Sequence, residues 1–163
     1  MFRHTKPLLT GMMLMGACLT ALPQAVSSAQ SDPFAGAWQL NLAKSVYSPG
    51  PPPRSGSLIV EGEGQNLTGT LSGIDAAGNS FTAVYMFIHD SRPHPVTGNP
   101  LGDAMIYTPV DRNTVRWTMT KGGQVVQSGA DTVSLDGKTF TITNMRTDAN
   151  GRPINNTAVY DKQ

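Results

Sequence analysis

Residues Thr114-Val-Arg-Trp-Thr-Met-Thr120 decide the fold class. Val115, Trp117 and Met119 are apolar and alternate with polar residues, so an extended chain carries them on one face. A helix would need apolar residues three or four positions apart, whereas a period of two predicts a β-strand with one buried face. The surrounding chain is rich in Thr, Val, Gly and Asn, and this composition also favours strands.

The same alternation recurs on both sides of this stretch. Phe140 and Ile142 alternate with threonines in this way. The step from Asn144 to Met145 then shifts the parity by one residue, which predicts a β-bulge near Asn144. The other predicted strands cover residues 34–42, 57–61, 66–73, 80–88, 104–108, 124–135 and 156–161.

Short connections with Gly, Asn and Asp separate these strands at nearly regular intervals. Such connections join antiparallel neighbours. Eight or nine strands paired in sequence order form an all-β antiparallel meander, which avoids exposed edges by closing into a β-barrel. A two-sheet β-sandwich is the alternative architecture. We predict one such domain over residues 30–163.

The first 29 residues are predicted to be a signal peptide. Basic residues precede an apolar run over residues 8–22, and Ala29 supplies the small residue before the cleavage site. The mature chain would then begin at Gln30 and reach the periplasm or the exterior. In the alternative, Cys18 is lipidated and anchors the protein to a membrane. With the usual cleavage the chain's one cysteine is removed, so neither a disulfide nor a cysteine metal ligand is expected.

Charge and motifs argue against several functions. Removing Arg3 and Lys6 from twelve basic residues leaves ten against eleven acidic ones, and those ten are scattered, which argues against a nucleic-acid partner. The chain has no Gly-X-Ser-X-Gly elbow and no glycine-rich phosphate loop that leads into a helix. No catalytic residue, metal or cofactor is predicted, and a binding protein is favoured over an enzyme.

Two segments interrupt the strand pattern. Ser48–Pro53 contains four prolines and must run extended. The longest connection, Asp90–Asp103, is predicted to be a loop, and long ordered loops often carry function. The candidate functional residues at this loop are His89, Asp90, His94 and Asp103. Their spacing matches no zinc pattern, so the alternative is that the histidine before the loop ends a strand and the aspartates cap turns.

Three stretches of the chain carry a resemblance to known proteins. They are Phe34–Pro51, Pro95-Val-Thr-Gly-Asn-Pro100, and residues 136–163 from Asp-Gly-Lys-Thr-Phe to Val-Tyr-Asp-Lys-Gln. These stretches resemble small exported bacterial lipocalin-like proteins of unassigned function. Gly36-Ala-Trp38 also resembles the Gly-X-Trp signature that opens lipocalin barrels, in which the Trp closes the barrel floor. The resemblance implies that the meander closes into a lipocalin-like β-barrel.

Small residues within the predicted strands leave room inside a barrel. They are Gly69, Gly73, Ala83, Gly129 and Ala130. Together with apolar neighbours they predict a ligand cavity with mainly apolar walls. The predicted lining residues are Tyr85, Met86, Phe87, Met105, Tyr107, Trp117 and Met119. In the alternative interpretation these side chains are ordinary core and the glycines mark bulges.

Three functional hypotheses follow from these observations. The leading one is an exported, non-enzymatic binding protein that holds a small apolar or amphipathic ligand in a β-barrel. The first alternative is an envelope-associated protein-interaction module that presents the proline-rich segment and the long loop to another protein. The second alternative is a hydrolase or metal-dependent enzyme that uses residues 89–103. Membrane association is expected only if Cys18 is lipidated.

Overall fold

A computed structural model of the protein describes residues 32–64 and 66–163, and the predicted signal peptide with Cys18 lies outside these residues. The described chain forms eleven β-strands and one short 3-10 helix, Leu42–Lys44. The strands are β1 (Gly36–Leu40), β2 (Val46–Ser48), β3 (Ser55–Glu63), β4 (Asn66–Ile74), β5 (Ser80–Phe87), β6 (Pro93–Thr97), β7 (Ala104–Asp111), β8 (Thr114–Lys121), β9 (Gln124–Val133), β10 (Thr139–Thr147) and β11 (Pro153–Lys162). No helix in this part of the chain is long and apolar enough to cross a membrane.

Neighbouring strands pair antiparallel, and the sheet closes on itself. β3 to β11 pair in sequence order. β1 pairs with β3 on one side and with β11 on the other, which closes a ten-stranded barrel. After the 3-10 helix, β2 pairs with an earlier part of β11, where Tyr47 lies opposite Asn156, and so extends the same seam. Lys44 Nζ contacts Asp161 Oδ1 at 2.8 Å across this seam.

The predicted all-β, antiparallel barrel is confirmed, and its closure rules out a two-sheet sandwich. All nine predicted strands are present, and β2 and β6 go beyond the eight or nine that the sequence predicts. β6 lies in the connection predicted to be a loop. Pro93 and Pro95 supply no backbone N–H, so this strand pairs with β5 and β7 over only a few residues. Val96 follows Pro95 on the same strand and is buried. Its burial fixes the segment in the barrel wall.

The predicted bulge near Asn144 is wrong. Asn144 pairs in continuous register with Asn156 on β11 and with Gly129 on β9. Its side chain faces the interior, while Met145 lies on the outer face with 58% of its surface exposed. The inside-outside alternation is therefore unbroken, and a polar residue occupies the inner position while an apolar one occupies the outer. The register shifts instead near the end of β7 and near the end of β8.

Large side chains fill one end of the barrel, which we call the closed end and define by Phe34, Trp38 and Phe140. The Phe140 ring lies 5.3 Å from that of Trp38 and 5.5 Å from that of Phe34. Trp38 Nε1 donates a hydrogen bond to the Phe34 carbonyl oxygen at 3.0 Å. Lys162 Nζ lies 4.8 Å from the centroid of the Trp38 ring, a cation–π contact. The Trp of the Gly-X-Trp motif thus sits at a barrel end, as the resemblance implies.

Candidate functional site

A cavity of about 220 Å³ lies inside the barrel and is partly open to solvent. Its walls are mainly apolar and come from β3, β4, β5 and β7 to β10, with the β6–β7 connection at the edge. The space exists in part because Gly69 has no side chain. A Cβ at this position would meet only Leu58 Cδ1, at 3.7 Å. Four further apolar residues line the cavity but are not among the lining residues predicted from the sequence, namely Leu58, Leu71, Leu101 and Ile142.

Six of the seven predicted lining residues border this cavity, namely Tyr85, Phe87, Met105, Tyr107, Trp117 and Met119. Met86 does not border it, and its prediction as a lining residue is wrong. On β5 it stands between two inward residues, so its side chain points to the outer face, where 39% of its surface is exposed. That the six inward side chains bind a ligand stays a prediction.

Of the five small residues predicted to leave room, Gly69 alone borders the cavity. Gly73 and Gly129 permit close packing instead, because a Cβ at either position would collide with a backbone carbonyl oxygen of a neighbouring strand. Gly129 also makes room for the Trp117 ring, which lies against it. Ala130 is the next residue along β9 and therefore points to the outer face.

A buried carboxyl group that is not among the predicted site residues borders the cavity. Asp131 on β9 is only 4% exposed, and its Oδ1 accepts a hydrogen bond from Trp117 Nε1 at 2.8 Å. Burial raises the pKa of Asp131 to about 7, although the hydrogen bond from Trp117 acts in the opposite direction. Near neutral pH the carboxyl group is therefore divided between its neutral and ionised forms. One feature of the sequence indicates the inward position of Asp131. It lies two residues from both Gly129 and Val133 on β9, and residues two apart on a strand share a face.

A second oxygen acceptor lies close to this carboxyl group. Asn144 on β10 borders the same cavity, and its Oδ1 is buried and has no hydrogen-bond partner among the described residues. Asn144 pairs with Gly129, two positions from Asp131, so the two polar side chains are diagonal neighbours on the inner face. Diagonal neighbours lie about 7–8 Å apart across a strand pair. At the edge of the cavity, Asn99 Nδ2 donates a hydrogen bond to the Tyr85 hydroxyl group at 3.0 Å.

The four residues predicted at the 89–103 loop do not form a single cluster, and only His94 and Asp90 contact each other. His89 packs at the closed end against three aromatic rings, and burial lowers its pKa. His94 Nε2 lies 2.9 Å from Asp90 Oδ1 at the surface, while Asp103 Oδ2 accepts a backbone hydrogen bond from the β8–β9 turn. Residues 32–64 and 66–163 contain no group of three or more side chains that could hold a metal ion.

The fold and the cavity together define a closed antiparallel β-barrel with an internal, partly open cavity. No protein-family model and no curated protein matches the chain significantly. Among solved structures, the chain is similar to a redesigned β-barrel, mFAP1, bound to DFHBI, with 15% identity, a TM-score of 0.42, and coverage of 80% of this chain and 95% of that chain. A likeness at this level says nothing about function here, and the barrel assignment rests on the strand pairing.

Proposed function

We propose that the protein is a non-enzymatic binding protein that holds a small amphipathic molecule inside its barrel. The internal cavity of about 220 Å³ carries the proposal, because protein interiors are normally packed without spaces of this size. Its apolar walls would bury the body of a ligand, and its few polar atoms would orient the ligand. This combination is typical of small-molecule sites.

The size of the cavity restricts the ligand. Pockets for drug-sized molecules span about 300–1,000 Å³. A cavity of about 220 Å³ is smaller, so it suits a single aromatic ring or a short aliphatic chain. A longer ligand would have to extend through the open side, past the partly exposed side chain of Leu101.

We further propose that the protein acts in the periplasm or outside the cell. This proposal rests on the apolar run over residues 8–22, on the small residue Ala29, and on the resemblance to exported lipocalin-like proteins. Mass spectrometry of the protein from its own host should give a chain that begins at Gln30. A chain that keeps its leader would contradict export, and a lipid on Cys18 would support the anchored alternative.

Methionine methyl groups provide a binding test with internal controls. Met105 and Met119 border the cavity, whereas Met86 and Met145 lie on the outer face. In a protein labelled with ¹³C at the methionine methyl groups, titration with toluene or indole should shift the resonances of the first pair. The second pair should not move. If neither probe shifts the first pair up to its solubility limit, the proposed function is wrong.

A cavity-filling variant supplies the matched control. Gly69→Leu places a side chain in the cavity, and the Cβ itself has room there. We expect this variant to lose the methionine shifts. Thr68→Val changes the adjacent, exposed residue of the same strand and should bind the probes as the unmodified protein does. Shifts that persist in Gly69→Leu would mean that the probe binds elsewhere.

A further inference from the structure

The carboxyl group in the cavity wall restricts which classes of ligand the cavity can bind, and this inference rests on the proposed function. Asp131 is the one carboxylic acid among the described lining residues, and none of them is Lys, Arg or His. Its Oδ1 accepts the hydrogen bond from Trp117, whereas its Oδ2 has no hydrogen-bond partner in the part of the chain that the structure describes. When Asp131 ionises, its negative charge therefore has no counter-ion from the cavity wall.

A buried ion without a partner is unfavourable, and a ligand that brings a positive charge would remove this cost. The buried Oδ1 of Asn144 adds a second free acceptor on the adjacent strand. Two acceptors on neighbouring strands suit a head group that carries several N–H donors. The rings of Tyr85, Tyr107 and Trp117 border the same space, and aromatic faces attract cations.

We propose that the cavity binds a small planar organic cation, such as an aromatic amidinium or a protonated aminoheterocycle, whose N–H groups donate to Asp131 Oδ2 and Asn144 Oδ1. The ring of this ligand packs against the aromatic walls. While Asp131 is ionised, a ligand with an anionic head group is excluded, because its charge would meet a buried carboxylate with no cation beside it among the described lining residues. Fatty acids and other carboxylates are therefore not ligands of the cavity in this state.

Protonation of Asp131 should control this preference. Trp117 on β8 and Asn144 on β10 are uncharged neighbours of the carboxyl group. The titratable side chains that interact with it electrostatically from other strands are Tyr85, Tyr107 and Tyr160. Burial raises the pKa of each of these tyrosines, so all three stay neutral while Asp131 titrates near neutral pH. Acidification thus removes the charge that attracts the cation.

Three probes of nearly equal size separate charge from shape: benzamidinium is a cation, benzamide is neutral and benzoate is an anion. The full-length chain is expressed in bacteria and the resulting protein is purified. The dissociation constants of the three probes are measured from the methyl shifts of its Met105 and Met119. At about pH 8.5, benzamidinium should bind roughly ten- to hundredfold more tightly than benzamide, the range for a hydrogen bond to a charged group. Benzoate should not bind. At about pH 5.5 the preference for benzamidinium should disappear, because Asp131 is then protonated.

A pair of variants tests the role of the carboxyl group. Asp131→Asn keeps the size of the side chain and an oxygen that can accept from Trp117 Nε1. We expect this variant to show no preference for benzamidinium over benzamide at either pH. Asp111→Asn removes an exposed carboxylate at the end of β7 and should retain the full preference.

The possible results distinguish this inference from the proposed function. Equal binding of benzamidinium and benzamide at about pH 8.5 would overturn the cation inference and leave the proposed function intact. A preference that survives in Asp131→Asn, or binding of benzoate at about pH 8.5, would overturn it as well. If toluene and all three probes fail to shift Met105 and Met119, the proposed function fails and the inference fails with it.

Discussion

Replacing Asp131 with asparagine should stabilise the protein at high pH, even though the change removes a charged group from a hydrogen bond. Burial raises the pKa of this carboxyl group from 3.8 to about 7. A pKa that is about three pH units higher in the folded chain than in the unfolded chain corresponds to roughly 4 kcal/mol. Asparagine has nearly the same shape and keeps an acceptor for Trp117 Nε1, so the variant removes the charge and little else.

The sign of the effect follows from proton binding. Between about pH 4 and about pH 7, the folded chain keeps the Asp131 proton that the unfolded chain has already released. Raising the pH through this window therefore lowers the free energy of unfolding of the unmodified protein. The advantage of Asp131→Asn should be near zero at about pH 4 and reach up to roughly 4 kcal/mol by about pH 8. Other titrating groups are common to both proteins, so they cancel in the difference.

Urea unfolding followed by tryptophan fluorescence at a series of pH values measures this difference directly. Asp111→Asn serves as the control, because it makes the same chemical change at an exposed position, where the effect on the free energy of unfolding should be small. If the advantage of Asp131→Asn does not grow between about pH 4 and about pH 8, or if the variant is the less stable protein throughout, burial does not raise the pKa of Asp131 in the way described.

Three further substitutions test the packing and the buried polar groups of the interior. Gly129→Ala should lower the free energy of unfolding by about 1–3 kcal/mol or more, because its Cβ would collide with the Thr143 carbonyl oxygen and the Trp117 ring. Gly69→Ala should cost less than about 1 kcal/mol because the cavity accepts the methyl group, so equal costs in thermal unfolding would contradict the described packing. His89→Phe keeps a ring at the closed end and removes a buried nitrogen that has no hydrogen-bond partner within residues 32–64 and 66–163. Burial lowers the pKa of His89, so the unmodified protein should lose stability as the pH falls below about 6.5. This loss should be smaller in His89→Phe. An identical pH dependence of the two proteins in thermal unfolding would contradict this prediction.

The barrel could be predicted because most residues obey a single rule of alternation. Val115, Trp117 and Met119 are all buried, as their period of two indicates. The prediction of Met86 as a lining residue rests on its apolar character alone. The alternation rule places it on the outer face, because its two neighbours on β5 point inward. The sequence does not predict β6, because its prolines indicate a loop. The burial of Val96 against the rest of the barrel depends on tertiary packing, which the local sequence does not show.

The polar residues of the cavity could not be predicted because they break the rule on which the prediction depends. Asn144 occupies an inner position and Met145 an outer one, so the local pattern resembles a bulge when the backbone is regular. Asp131 likewise occupies an inner position, in a stretch of small and polar residues with weak apolar alternation. Departures of this kind concentrate at functional sites, where chemistry opposes burial. Inward polar residues of this kind can be recognised only when the pairing register with the neighbouring strands is known.

The seam at β11 has a consequence for how the chain reaches its native state. β11 pairs with β10, β1 and β2, and Asn41 Nδ2 bonds Asp161 Oδ2 across a separation of 120 positions. Contacts between such distant positions form late and slowly in folding, because the intervening chain must first be ordered. Until β11 docks, β1 and β10 present unpaired edges that can recruit other chains. A chain shortened before residue 153 would therefore have no closed state and should associate edge to edge.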